Sequence, residues 1–170
     1  MSHTLSAILK SSVQQSLGCL SVILKKGEAH ARALEVEDSV FLAARLYPNM
    51  FPLARQVQIA SDISARGAAR LAGVDIPEYP DTETTLAELA ARAETANAYV
   101  QTLDAAALDA RELETIQVPV GQDTFPMPGR QFVAGFILPN LHFHTTIAFG
   151  LLRQQGVDIG KRDFLMPGSV

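Results

Sequence analysis

The chain has 170 residues, 48% of them hydrophobic and 19% charged, with a formal net charge of -4. That length and balance describe a globular protein, and residues 1–170 read as a single domain with a real core. One cysteine, Cys19, excludes an internal disulfide and a thiolate metal cluster, and the absence of a basic stripe argues against a nucleic-acid surface.

The N-terminal stretch "MSHTLSAILKSSVQQSLGCL" lacks a basic start followed by a long apolar block, so no signal peptide is expected and the cytoplasm is the default location. No apolar run of about 18 residues occurs, so no membrane span is expected. From about Leu5 to Leu24 the sequence has a helical period. Leu5, Ile8, Leu9, Ser12, Ser16, Cys19 and Ile23 share one stripe, and Gly27 is expected to stop or bend the helix. A short turn of helix follows around Asp38 to Leu46. A second long helix opens near "PNMFPLARQ", with Pro52 in its first turn, and runs to Leu71 before Gly73. "GVDIPEYPDTE" is a connection broken by two prolines, and Asp81 or Thr82 is expected to cap the third helix, which runs to about Leu103.

The period then changes. "ETIQVPVGQDTFPMPG" alternates and turns at Gly121-Gln122, which predicts a hairpin over Thr115 to Val120 and Asp123 to Met127, with Ile116, Val118 and Val120 on one side. A fourth helix spans Pro128-Gly129 to Gly156, and the tail "VDIGKRDFLMPGSV" reads as irregular. The sum is an all-α four-helix bundle with a small β-hairpin between helices 3 and 4.

"PNLHFHTTIAFGLL" holds His142 and His144, two residues apart. On a regular helix with Asn140 at 0°, Val133, Ile137, His144, Ile147 and Leu151 fall within about 60° of it, while His142 falls near 160°. His144 therefore couples to Asn140, one turn away, and not to His142. The same construction turns Gln56 inward on the second helix, with Gln58 and Asp62 pointing away. It also turns Ser12 and Ser16 inward on the first helix and Asn97 on the third. A buried polar group without a partner costs on the order of 1–3 kcal/mol. Gln56, Asn140, His144, Ser12, Ser16 and Asn97 must therefore bond to one another as an internal network, to water, or to a ligand.

Other residues read more plainly. His3 and His30 lie near helix ends and are expected to be exposed. Cys19 reads as a small core residue. Arg45, Tyr47 and Arg55 suit either a pocket mouth or a solvated face.

"NLHFHTTIAFGLLRQQG" resembles the last helix of the DinB-like (YfiT-like) superfamily, which commonly reads HxxxHxGQI and then LRxxG. His144 matches the second histidine, and Leu152, Arg153 and Gly156 match the end. "ARLAG", residues 69–73, resembles the end of that superfamily's second helix. The blocks "LYPNMFPLARQVQIASD", "DTETTLAEL", "FVAGFILPNLHFHTT" and "GVDIGKRDFL" are similar to an uncharacterised domain-of-unknown-function branch of it, over nearly the whole chain. The resemblance implies an up-down-down-up bundle with a long crossover between helices 2 and 3. It also implies a divalent metal held by three histidines, one from the second helix and two from HxxxH. Here Asn140 stands in the place of the first of that pair, and the second helix has no histidine.

Three functions follow as expectations. In the first, the core binds a small molecule without a metal, through Gln56, Asn140 and His144 beside Ser12, Ser16 and Asn97. His144 would be the catalytic acid or base, or the hydrogen-bond anchor. In the second, a degenerate centre holds zinc or nickel through His144, helped by Asn140, Gln56 or a reoriented His142, for a transfer or hydrolysis. In the third, the side of the last helix bearing Leu138, His142 and Phe149 covers the hairpin or a second copy in a homodimer. No nucleic acid and no membrane partner is expected.

Overall fold

The computed structural model of the protein describes residues 4–167; His3 lies outside them. Helix α1 (Leu5–Ala33) opens on Thr4, whose Oγ1 accepts the Ala7 N–H at 3.2 Å. It runs through Gly27 instead of ending there. A Cβ at Gly27 would lie 3.1 Å from Leu152 Cδ2, so this glycine serves the close approach of another helix. The short α2 (Asp38–Leu42) precedes α3 (Leu53–Ala72), which starts after Pro52 and ends at Gly73 in the left-handed region, φ 72°.

Helix α4 (Leu86–Thr102) begins later than expected. Its cap is Thr85: Oγ1 accepts the Glu88 N–H at 3.1 Å and the Glu88 carboxylate accepts the Thr85 N–H at 3.0 Å. Asp81 does not cap because Arg55 and Arg92 bind it. Helix α5 (Ala105–Ala110) is too short to show a period and is pinned by buried Leu108.

The hairpin pairs β1 (Thr115–Val120) with β2 (Asp123–Pro128), setting Ile116 opposite Met127 and Val118 opposite Phe125. Ile116 and Val118 face the core; Val120, at the turn, is exposed. Helix α6 (Gly129–Phe132), a π turn (Val133–Ile137) and α7 (Leu138–Gln154) follow without a break. The tail is not irregular throughout. It forms α8 (Lys161–Leu165), because Asp163 accepts the Gly160 N–H at 2.7 Å and binds Lys26 of α1 at 2.6 Å.

Cross-helix contacts give the directions. Lys10 Nζ donates to the Gln101 and Leu103 carbonyls while Lys25 pairs with Glu94, so α1 and α4 are antiparallel. Asp62 meets Arg92 and Tyr99 donates to the Asp75 carbonyl, so α3 and α4 are parallel. Gly67 abuts Ile137 and Gln56 reaches His144, so α3 and α7 are antiparallel. The order is up-down-down-up. α1 and α3 each pack on α4 and on α7. Two parallel neighbours require residues 73–85 to run back along the bundle.

Arg92 fastens that crossover. Its side chain is 3% exposed and meets Asp62 at 2.7 Å, Asp81 at 3.0 Å and Glu83 at 2.7 Å, beside the Tyr79 ring. Asp62, expected to point outward, is therefore half-buried, and Gln58 is buried against Glu83 at 2.9 Å.

The core is built from leucines of α1, Leu53, Val57 and Leu71 of α3, the alanine face of α4, and Leu141, Leu151 and Leu152 of α7. Burial transfers roughly 1.5–3 kcal/mol per large aliphatic side chain. Ile8 falls outside it at 43% exposure. Two helices, Leu5–Ala33 and Gly129–Gln154, are long and apolar enough to cross a bilayer by length and composition, although no unbroken apolar run marks them in the sequence. In the bundle both contribute side chains to the core.

Candidate functional site

Helix α3 carries Gln56 and helix α7 carries His144, and the antiparallel packing brings them into contact. His144 Nδ1 lies 2.7 Å from Gln56 Oε1, with the residues 8% and 2% exposed. The other amide atom decides the proton. Gln56 Nε2 donates to the Phe51 carbonyl at 3.0 Å, so Oε1 is the end that faces the ring. An amide oxygen only accepts, so Nδ1 carries the hydrogen, and in the neutral ring Nε2 holds the free lone pair.

Burial, and then the charge of Arg55, push the His144 pKa below its ordinary value. The ring is therefore neutral near pH 7 and acts as an acceptor or base. The Phe143 ring stands perpendicular to it, centroids 5.2 Å apart.

The other expected members do not join this pair. Asn140 is half-buried and turns back on its own helix, donating to the Phe136 carbonyl at 2.8 Å. The buried face of α7 (Leu141, His144, Thr145, Ala148, Leu151 and Leu152) is centred about 80° from Asn140. The cause is that α7 is packed between α1 and α3, so its buried face takes in Leu141 and Thr145, and Asn140 and Ile147 fall at the margin. His142 lies at the opposite margin, exposed, with Nδ1 3.4 Å from Ser16 Oγ.

Ser16 is buried on α1 and also bonds Gln15 at 3.3 Å. Ser12 is half-buried. Asn97 is half-buried rather than in the core, accepting from Gln101 Nε2 at 3.2 Å. His30 is half-buried rather than exposed, bonded to the Gln155 carbonyl at 3.2 Å and edge-on to Phe41. Cys19 is buried, with its thiol pushed up to about 12 by burial and then by the Asp163 charge.

The donor set does not suit a three-histidine metal centre. His144 Nδ1 is committed to Gln56, Asn140 Nδ2 to its own helix, and His142 to the α1 side. Among the described residues no group of three histidine, cysteine or acidic side chains is arranged to hold a metal ion. On the side of α7 bearing Leu138, His142 and Phe149, Phe149 meets the chain's own tail, edge-on to Phe164 with centroids 5.9 Å apart, while His142 is exposed.

The inward phases miss a cleft of about 370 Å³ between α3, β1 and the segment Phe132–Phe136. Arg55, Arg66 and Arg70 line it with Asp62; Gln56, Asn140 and His144 do not. Arg45 and Tyr47 lie elsewhere, exposed in the loop before α3. A signal existed in the sequence: arginines at 55, 66 and 70 fall within about 60° of one another on α3.

A family model described as a domain of unknown function (DUF1993) matches residues 6–165. The chain is also similar to a solved structure, the crystal structure of a DinB family member protein from Shewanella denitrificans. The two are 38% identical, with 97% of each chain covered and a TM-score of 0.83. No curated protein matches the chain.

Proposed function

We propose a function for this chain as a member of the DUF1993 family of DinB-like proteins, to which it belongs: it binds a small molecule at His144, whose Nε2 accepts a hydrogen bond or a proton from it. The observation that carries this reading is the chain of bonds from the Phe51 carbonyl through the Gln56 amide to His144 Nδ1. It fixes the tautomer and the ring plane before any ligand arrives. A positioning partner on one imidazole nitrogen is the usual way to aim the other. Burial keeps the ring neutral, which is the form able to accept.

No step is assigned to a metal ion, because the neighbouring donors are turned elsewhere. Long-range proton–nitrogen spectra of the imidazoles test the reading. At pH 7, His144 Nε2 should resonate as an unprotonated nitrogen. Titration with a defined set of small phenols, alcohols and primary amides should move that resonance. A protonated Nε2, or no response to any of these donors, would sink the proposal.

A further inference from the structure

We propose that the cleft between α3, β1 and the Phe132–Phe136 segment binds an organic carboxylate with an aromatic body. This site is separate from His144, which does not line it. Its volume, about 370 Å³, falls in the range of small-molecule pockets.

Charge selects an anion. Asp62, the acid in the lining, has Oδ1 engaged by Arg92 at 2.7 Å and Oδ2 3.7 Å from Arg66. Arg55 is bound to the Asp81 carboxylate. Arg66 thus has a loose partner, and Arg70, one turn further along the same face, has no acidic partner among the described residues. Arg70 is half-buried, and burial and then the Arg66 charge push its pKa down. Two guanidinium groups held together this way are relieved by one shared anion. A carboxylate matches the planar donor fork of arginine with two parallel bonds. One unpaired cation beside a fixed aspartate favours a single negative charge over a dianion.

The body of the ligand is set by the opposite wall. Phe132 and Phe136 stack with centroids 5.8 Å apart and planes 28° apart, and both line the cleft. The π turn runs through this wall, and such turns recur at binding sites. Gly67 lets α3 press against it: a Cβ there would lie 2.9 Å from Ile137 Cδ1. Val118 and Pro119 of the hairpin close the third side. A flat apolar ring fits between this wall and the hairpin, with its carboxylate toward Arg66 and Arg70.

Calorimetric titration with 2-naphthoate tests the proposal, with 2-naphthalenemethanol as the uncharged probe of the same shape. Naphthoate should bind saturably at one site, and the alcohol at least tenfold more weakly. R70Q should lose at least tenfold in naphthoate affinity and leave the alcohol unchanged. If R70Q does not fold, R66Q is expected to show the same pattern to a smaller degree, and the two-probe comparison on the wild-type protein stands without either variant. No naphthoate binding, equal affinity for the alcohol, or unchanged affinity in a folded R70Q would each overturn it.

Discussion

His144 of α7 and Gln56 of α3, 88 residues apart in the chain, are joined by a 2.7 Å hydrogen bond in the interior of the bundle. The bond ties together two helices that run in opposite directions. It also makes stability depend on the charge of a single ring.

The His144 pKa is lowered in the fold, by burial and then by Arg55. The unfolded chain therefore takes up this proton at a higher pH than the native state does. The stabilisation is complete above about pH 6.5 and is lost as pH falls through the native pKa below that. The urea midpoint of the wild type should drop between pH 7 and pH 5 by more than that of His144→Gln, which has nothing to titrate. Parallel behaviour of the two proteins would remove His144 as the cause.

Arg92→Met should destabilise the bundle by about 3 kcal/mol, because it leaves Asp62, Asp81 and Glu83 together without their shared cation. The figure sits at the low end for a buried ion pair, since Asp81 is 41% exposed. Limited proteolysis should cut residues 73–85 faster in the variant, before the helices are attacked. Cleavage at an unchanged rate would show that the crossover is held by something else.

Thr145→Val should stabilise. Thr145 Oγ1 is fully buried with no hydrogen-bond partner, and valine keeps the shape while removing the unsatisfied hydroxyl. A gain of about 1 kcal/mol corresponds to a rise of about 2–4 °C in Tm for a chain of this size. A fall in Tm would mean that the hydroxyl is satisfied in solution.

Cys19 should resist alkylation by iodoacetamide at pH 8 in the native protein and react fully in urea. Its thiol is buried and held at about 12. Native labelling at the rate of a free thiol would show that α1 opens readily.

Gln56 and His144 could be read from the sequence because both lie where a regular helix keeps its phase. The hairpin could be read because Gly121-Gln122 punctuates two alternating runs. Asn140 could not be placed, because its position depends on how α7 sits between two helices, which no local pattern encodes. Arg92 was equally opaque. Arginine is normally solvated, and two of its three acidic partners, Asp81 and Glu83, come from a crossover whose route is set by the bundle as a whole. The arginine face of α3 was visible as a stripe but had no meaning until the hairpin and the π turn walled it in.

The π turn also makes residues 133–137 unusually sensitive to length. It takes up one more residue than an α turn would. In-frame loss of a single codon there would restore regular α winding with α6 and α7 still in phase, and would remove the bulged turn that holds Phe136 in the cleft wall. The cleft would lose its shape while Gln56 and His144 stayed paired. Lineages of this gene should therefore tolerate substitutions across the segment more readily than they tolerate a change in its codon count.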